Sequence, residues 1–370
     1  MSLVERHLFG PGPSNPYPDA TAALAAPLLG HLDPEFLRIM DETCDRLREV
    51  WGTDNQRTLP ISATGSAGME AAFVNTVGAG DVVVVAVNGL FGQRMCDVAA
   101  RCGAEVVPVE HEWGTPVDVQ RVIDAHPSPK VIAAVHAETS TGVRSDIAAL
   151  GAARDKDRPD ALLLVDAVTS IGGIELRADD WGVDVGYAGT QKCLGVAPGL
   201  APFSIGERAW AVRVEKPQSW YLDLGMLGGY VGEAAGKGAR TYHHTAPTAM
   251  VASLHAGLGR ILEEGLENVW VRHEEAGAML QAGLEAMDLE LFAQEGARLP
   301  ELTTVKVPEG VDSAAVRKIL LERHNLEIGA GAGEFASSVW RIGLMGHNAR
   351  PDAVLTVLAA LQDALRLVRS

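Results

Sequence analysis

Two polar residues stand where a buried strand ends and where a glycine-flanked turn follows. Asp166 closes the apolar run 162–165, and Lys192 lies in the segment 189–195, which has glycine at both ends. A carboxylate at the end of a strand can meet a pyridine nitrogen, and a lysine amine can hold an aldehyde covalently. Because this pair suits pyridoxal 5'-phosphate, Asp166 and Lys192 are the candidate catalytic residues.

A phosphate group could bind at the segment 62–68, which reads Ser-Ala-Thr-Gly-Ser-Ala-Gly and precedes a predicted helix over 69–77. Hydroxyls and backbone amides that gather at a helix N-terminus bind anions. The same residue types are also ordinary helix caps, and for this segment alone capping is the commoner explanation. The phosphate interpretation of this segment is supported only by the other candidate segments of the chain.

Two further segments follow predicted strands at the same edge of the sheet. Phe91, with Gly89 and Gly92 on either side, could stack on a planar ring or belong to the core of the next helix. The flanking glycines favour a loop position for it. The segment 138–142 carries three hydroxyls, which either fix a ring oxygen or cap a helix.

The elements that must position these residues alternate between strands and helices. This alternation predicts an α/β fold with a mostly parallel sheet covered on both faces. Ligands of such sheets bind beyond the carboxyl ends of the strands, where Asp166 stands. The predicted strands are 82–87, 105–109, 131–136, 162–165, 183–188 and 200–205, and the predicted helices between them include 91–102, 117–125 and 146–155.

From residue 246 onward the pattern changes to longer helices and weaker strands, which indicates a smaller α+β domain. The proline-rich segment 10–16 forms neither a helix nor a central strand; it is a rigid arm that either ties down the terminus or approaches a ligand. We predict an N-terminal arm over 1–20, a large domain over 21–263 and a small C-terminal domain over 264–370. The elements predicted for the small domain and its approach are helices over 248–264, on through 284 and over about 351–368, and strands over 289–292, 303–307 and 339–343.

Composition argues against several classes of partner. The formal net charge of −17 over 370 residues disfavours nucleic acid and anionic membranes. Apolar runs stop well short of the roughly 20 residues of a spanning helix, and residues 1–10 lack a signal-like apolar core. The 4 cysteines, at scattered spacings, form no disulfide framework. We therefore expect a cytoplasmic protein with no nucleic-acid or membrane partner.

Several segments together form a recognisable set of motifs, namely Gly-Pro-Gly-Pro-Ser-Asn at 10–15, Asn-Gly-Leu-Phe-Gly-Gln-Arg at 88–94, Thr-Gln-Lys at 190–192, Tyr-His-His-Thr at 242–245 and Trp-Arg-Ile-Gly at 340–343. With these motifs the chain resembles the class V aminotransferases of fold type I. Within that class it is similar to the alanine-glyoxylate and serine-pyruvate aminotransferase family. The resemblance extends over nearly the whole chain and is more specific for fold and coenzyme than for substrate.

The resemblance implies a fold type I large domain with a seven-stranded sheet, and a role for each motif. Lys192 would link covalently to pyridoxal 5'-phosphate and then move the substrate Cα proton, while Asp166 would keep the pyridine nitrogen protonated. Arg341 would bind the substrate α-carboxylate, with Gly12 and Asn15 completing that pocket; a salt bridge to a nearby acid is the alternative for Arg341. The residues implied to bind the coenzyme are Thr64, Gly65, Ser66, Phe91, Thr139, Asp166, Val168, Gln191, Lys192 and, from the other subunit of a homodimer, Tyr242 and Thr245.

Two positions depart from the pattern of the family. Phe91 stands where many members stack a tryptophan, and Ser66 stands where the animal enzymes have histidine. Both changes bear on coenzyme affinity and not on the class of reaction. His243 and His244 resemble metal ligands, but without a partner at ligand spacing they predict packing or interface hydrogen bonds, and we predict no metal site.

The predicted function is ping-pong transamination from alanine or serine to glyoxylate or pyruvate. Residues 112–115 and 189–194 are also similar to the ureidoglycine-glyoxylate aminotransferases of purine breakdown, which are the alternative. A cysteine desulfurase would need a reactive cysteine in the smaller domain, and no cysteine follows Cys193. A coenzyme-sensing regulatory module fused to a DNA-binding domain is a further rival, for which the segment before the arm leaves little room.

Overall fold

The computed structural model describes residues 4–231 and 240–369. Its centre is a seven-stranded sheet in which Ala201–Ile205 runs antiparallel to both neighbours, whereas the remaining pairs are parallel. The predicted α/β fold with a mostly parallel sheet is therefore confirmed. In spatial order the strands are Thr58–Ile61, Ala201–Ile205, Val185–Tyr187, Leu162–Asp166, Val131–Val135, Val82–Val87 and Glu105–Glu110.

The residue pattern predicted every strand of this sheet except Thr58–Ile61. Pro60 argues against a strand because proline has no N–H to donate to a neighbouring strand. The position is tolerated because Thr58–Ile61 lies at the edge of the sheet and pairs on one side only, with Pro60 opposite Pro202.

Helices cover the sheet, and three of its inner strands are apolar nearly throughout. Residues 83–87, 131–135 and 162–165 are all buried, as expected for a sheet covered on both faces. Among the described residues no helix has both the length and the apolar character needed to cross a membrane. The helices of this part of the chain are Pro18–Leu24, Pro34–Trp51, Gly65–Thr76, Leu90–Arg101, Val119–Asp124, Ile147–Asp157, Glu207–Ala211, Leu224–Val231 and Thr248–Glu264.

The C-terminal part builds a second hydrophobic core around the buried Trp340. Its sheet has the order Leu302–Lys306, Val339–Gly343, Gly329–Ala330, and all pairs are antiparallel. Its helices are Leu266–Glu285, Ser313–His324 and Pro351–Arg369, with short 3-10 turns at Gly333–Phe335 and Gly346–Asn348.

The strand predicted over 289–292 is wrong. Leu291 forms an isolated bridge with Val305, and the chain bends at Phe292 and Ala293 before a longer strand can form. The domain division at residue 264 stays a prediction, since the helix Leu266–Glu285 contributes residues to both hydrophobic cores.

The N-terminal arm joins the C-terminal part to the large sheet. His7–Leu8 pairs in parallel with Leu326–Glu327, and the Gly343 N–H donates to the Phe9 carbonyl at 2.8 Å. Farther along the arm, the Ser14 N–H donates to the Gln191 carbonyl at 2.9 Å. The arm therefore runs directly beside the turn that carries Lys192.

Candidate active site

Lys192 lies in a turn held by its own backbone and by the hydroxyl of Thr190. The Gly195 N–H donates to the Lys192 carbonyl at 3.0 Å, and Thr190 Oγ1 donates to the Ala197 carbonyl at 2.7 Å. The lysine side chain is 9 % exposed, and its Nζ donates to the Pro11 carbonyl of the arm. Burial lowers the pKa of Lys192 to about 8, because the charged amine loses contact with water. A substantial fraction of this amine is neutral near pH 7.5.

Gly12 forms the wall of the arm against which the lysine side chain packs. Its φ is +112°, and a Cβ at this position would lie 2.6 Å from Lys192 Nζ and 2.7 Å from Lys192 Cδ. Ser14 fastens the arm here, since its Oγ donates to the Lys192 carbonyl at 3.0 Å. The sequence assigned Gly12 to the substrate pocket, a role that stays a prediction; the observed contact is with the lysine.

Gly12→Ala should therefore lower the transamination rate about 10²-fold, because the new methyl group displaces the lysine amine. Gly80→Ala is the matched control. Gly80 also has a positive φ, +83°, but a Cβ there meets nothing within 4 Å. Both variants lose about 1 kcal/mol of unfolding free energy from backbone strain. Equal rates in the two variants, measured at saturating coenzyme, would contradict this account.

Asp166 ends the strand Leu162–Asp166 and is almost fully buried. Its Oδ1 accepts the Val168 N–H at 2.8 Å, and its Oδ2 accepts the Tyr187 hydroxyl at 2.8 Å. Burial raises the pKa of Asp166 to about 6, while these two hydrogen bonds and the charge of Lys192 oppose the rise. The group is a carboxylate at neutral pH and can face a pyridinium.

The helix predicted over 69–77 begins earlier, at Gly65, with Thr64 as its N-cap residue. The Thr64 side chain makes no capping hydrogen bond, so the simple capping interpretation of its hydroxyl does not hold. Thr64 and Ser66 are exposed while Gly65 is buried. The first-turn amides of a helix have no partner within the helix, and here the exposed hydroxyl side chains of Thr64 and Ser66 lie beside them. This end of the helix is suited to a phosphate.

Val168 and Gln191 border the space between that helix and the lysine turn. A Cβ on Gly65 would lie 3.0 Å from Val168 Cγ2, and one on Gly189 would lie 3.3 Å from Val168 Cγ1. The side-chain oxygen of Gln191 is buried and has no hydrogen-bond partner in the structure. A buried acceptor left unpaired in this position is accounted for by a water or ligand group that donates a hydrogen bond to it.

Phe91 occupies the first turn of the helix Leu90–Arg101, so its predicted loop position is wrong. The glycines beside it suggested a loop, but Glu138 and Ser140 supply the acceptors that let a helix begin at Leu90. The Ser140 Oγ accepts the Leu90 N–H at 2.9 Å, and Glu138 Oε2 accepts the Phe91 N–H at 3.1 Å. Phe91 is half-buried, with one part of its ring surface open.

Sequence reasoning missed three residues that surround the site. It considered 138–142 for hydroxyls, whereas the fully buried Glu138 holds the helix start that carries Phe91. It left Arg94 without a role, although Arg94 Nη1 lies 3.5 Å from Ser66 Oγ and the guanidinium lies 4.9 Å from the Phe91 ring centroid. The sequence pattern predicts Tyr187 only as part of the strand over 183–188. A tyrosine in an otherwise small and apolar strand was the available signal for it.

Arg341 enters the site from the strand Val339–Gly343. Its Nε donates to the Ala330 carbonyl at 2.7 Å, and its Nη1 donates to the Thr139 carbonyl at 3.3 Å. Arg341 is therefore held by backbone carbonyls. The salt bridge to a nearby acid, which was the alternative for Arg341, is not observed among the residues that the structure describes. The positive charge of Arg341 also helps to lower the pKa of Lys192, after the larger effect of burial. Arg341 therefore lies close enough to Lys192 for the two charges to influence each other.

The Asn15 side chain is engaged by the arm itself. Its Oδ1 accepts from the Leu8 N–H at 2.8 Å and from Asn348 Nδ2 at 3.1 Å, and its Nδ2 donates to the Arg6 carbonyl at 2.9 Å. These bonds leave it little capacity for a ligand. Contact between Asn15 and substrate stays a prediction.

Tyr242 and Thr245 lie on the outside of the chain. Tyr242 is 59 % exposed, and its hydroxyl lies 3.4 Å from Thr245 Oγ1. Between them, His243 stacks on Trp220 with ring centroids 4.5 Å apart, and His244 Nε2 lies 2.6 Å from Ser62 Oγ. The histidines thus pack and hydrogen-bond, and no group of three or more potential metal ligands occurs in the described part of the chain.

Comparison with known proteins adds three findings. The family model described as Aminotransferase class-V matches residues 17–352. The (S)-ureidoglycine–glyoxylate transaminase of Bacillus subtilis is 38 % identical, over 97 % of this chain and 90 % of that protein. The alanine–glyoxylate aminotransferase of Drosophila melanogaster is 39 % identical, over 99 % of this chain and 94 % of that protein.

Solved structures give the same grouping. The crystal structure of an alanine–glyoxylate aminotransferase from Nostoc sp. matches this fold with a TM-score of 0.94 and 44 % sequence identity, covering 99 % of this chain and 97 % of that one. The similarity therefore extends through both hydrophobic cores and the arm.

Proposed function

The chain belongs to the class-V aminotransferases and is a pyridoxal phosphate-dependent enzyme, and from that premise we propose that it transfers the amino group of alanine or serine to glyoxylate or pyruvate in a ping-pong cycle. The observation that carries this proposal is the buried Lys192 amine, which donates to the Pro11 carbonyl of the arm and lies within electrostatic range of Asp166 and Arg341. The alanine–glyoxylate aminotransferases among its relatives support the choice of substrates.

The residues of the site fit the coenzyme. The helix start at Thr64, Gly65 and Ser66 would hold the phosphate, and the Gln191 side chain would donate to it from Nε2. Phe91 and Val168 would flank the ring, and Asp166 would face its nitrogen. When bound, pyridoxal phosphate supplies an aldehyde that accepts the amino group and a ring that draws electrons from the substrate Cα.

Lys192 is the group that moves the proton. With a pKa of about 8, Nζ can take a proton from the substrate Cα near neutrality and return it on the other side of the exchange. Asp166, with a pKa of about 6, stays ionised at the same pH. Transamination should therefore proceed above about pH 6, where Asp166 is ionised.

Arg341 would bind the substrate α-carboxylate with two parallel hydrogen bonds, which a planar guanidinium can make and an ammonium cannot. Arg341→Lys should therefore raise KM for every amino acid about tenfold while coenzyme affinity stays unchanged. Arg298→Lys is a matched control, because Arg298 Nε also donates to a backbone carbonyl, that of Ala293, at 3.2 Å. An unchanged KM in Arg341→Lys would move the carboxylate site elsewhere.

Transfer from ureidoglycine to glyoxylate is a second candidate, since the Bacillus subtilis relative carries that name and covers nearly the same length. A single-turnover screen of the purified holoenzyme distinguishes the two. Loss of coenzyme absorbance with alanine or serine, and its return with glyoxylate, supports the main proposal. A response to ureidoglycine alone favours the alternative, and no response to any donor overturns both.

A homodimer is part of the proposal. Tyr242 and Trp220 are both 59 % exposed, an unusual exposure for large aromatic side chains, and Tyr242 and Thr245 would reach the phosphate of the partner subunit. Light scattering of the purified protein tests this, and a monomer would contradict it. We place the enzyme in the cytoplasm, and the free thiols of all four cysteines support a reducing compartment.

A further inference from the structure

Tyr187 stands beside Asp166 on the neighbouring strand, and their Cα atoms are direct partners in the parallel register. Its side chain is fully buried, and its hydroxyl lies 2.8 Å from Asp166 Oδ2. We propose that Tyr187 is a positioning residue, which aims the Asp166 carboxylate at the coenzyme ring and keeps it ionised. This inference rests on the proposed function.

The tyrosine side chain also packs against the helix of the phosphate site. A Cβ on Gly68 would lie 3.1 Å from Tyr187 Cβ and 3.2 Å from Ala201 Cβ, so the helix Gly65–Thr76 approaches the strand closely at this glycine. One buried side chain thus touches the helix that would hold the phosphate and the carboxylate that would hold the ring nitrogen. It sets the spacing between the two ends of the coenzyme site.

The direction of the hydrogen bond is fixed by the chemistry of the pair. Burial and the neighbouring Asp166 charge raise the pKa of Tyr187, so the phenol keeps its proton throughout the working range. Tyr187 can therefore only donate to the carboxylate. A donor stabilises the ionised form of an acid, which burial would otherwise disfavour.

Other groups also face Asp166 and bear on its ionisation. Lys192 from the lysine turn and Arg94 from the helix Leu90–Arg101 favour the carboxylate form, and the Val168 N–H donates to it. Glu138 is an acid on the same side, and the mutual influence of Glu138 and Asp166 disfavours a second negative charge. Among these groups Tyr187 contributes a side-chain hydroxyl. Tyr187→Phe removes that hydroxyl and leaves the shape of the side chain nearly unchanged.

Titration of the apoenzyme with pyridoxal phosphate between pH 5 and 9, followed by absorbance, tests the proposal. In wild type the affinity should fall as Asp166 gains a proton. In Tyr187→Phe the pH midpoint of that fall should move up by about one unit, because a hydrogen bond to a charged group is lost. In the same variant, coenzyme affinity at pH 7 should fall about tenfold.

Ser253→Ala is the control, since it removes a fully buried hydroxyl that donates to the Ala20 carbonyl at 2.7 Å. It should lose similar thermal stability and leave the pH midpoint unchanged. An unchanged midpoint in Tyr187→Phe overturns the proposal. In an Asp166→Asn background, Tyr187→Phe should no longer shift any midpoint, and an equal shift in both backgrounds also overturns it.

The two proposals can fail separately because the readout is coenzyme binding. Wild-type enzyme that binds the coenzyme but takes no amino group from alanine or serine overturns the proposed substrates, while the midpoint shift would still support the role of Tyr187. Wild-type apoenzyme that binds no pyridoxal phosphate overturns both.

Discussion

Lys192→Ala is expected to abolish transamination, with a loss of about 10⁴-fold or more, because in the proposed mechanism the same amine would hold the coenzyme and move the substrate proton. The visible absorbance that borohydride fixes covalently on the wild-type protein should disappear as well. Mass spectrometry of the reduced protein is the direct measurement. In wild type the coenzyme mass should appear on the peptide that contains Lys192.

Lys130→Ala provides the comparison for that experiment. Lys130 is a partly buried lysine whose Nζ lies 2.6 Å from Asp81 Oδ2, on the strand end opposite to the site. It should keep full trapping and nearly full activity. Covalent trapping that persists in Lys192→Ala at another lysine would refute the assignment of the catalytic amine.

Asp166→Asn should lower the rate about 10³-fold, the size of effect seen when a charge-stabilising group is removed from an active site. The amide keeps an oxygen that can accept from the Val168 N–H, so the local fold has reason to persist. The loss of charge is what matters, because a neutral partner cannot hold the ring nitrogen protonated. Single-turnover rates with alanine, at saturating coenzyme, measure the effect.

The pH profile gives that prediction a second test. The pKa of about 6 for Asp166 means that wild-type activity should fall as pH drops through 6, when the carboxylate gains a proton. In Asp166→Asn this acid limb should vanish along with most of the rate. Asp179→Asn is the control, since Asp179 accepts from Thr53 Oγ1 at 2.6 Å and from the Asp54 N–H at 2.8 Å in an exposed position. Equal losses in the two variants would refute a special role for Asp166.

The parts of this molecule that the sequence predicts well are those set by local pattern. Asp166 could be placed at a strand end because the four residues before it are apolar, and short β-branched runs gave most of the sheet. The strand Thr58–Ile61 was not predicted because its proline is tolerated only at the edge of a sheet. Its local sequence does not show that it lies at an edge.

The parts that escaped prediction depend on contacts between distant segments. Phe91 lies in a helix because Glu138 and Ser140, from another strand end, supply acceptors for the helix start. The hydrogen bond between Tyr187 and Asp166 depends on which strands are neighbours and in which register. Local propensity carries no information on either, so these residues could be found only with the fold in hand.

The arm has a consequence for how the protein is made. Asn348 Nδ2 donates to the carbonyl of Leu8, a partner 340 positions away along the chain. This contact between the arm and its partner can therefore form only after the 340 positions that separate them have been synthesised. Such long-range closure is slow compared with the collapse of either core. We therefore expect Lys192 to become enclosed only late in folding, after the seven-stranded sheet has formed.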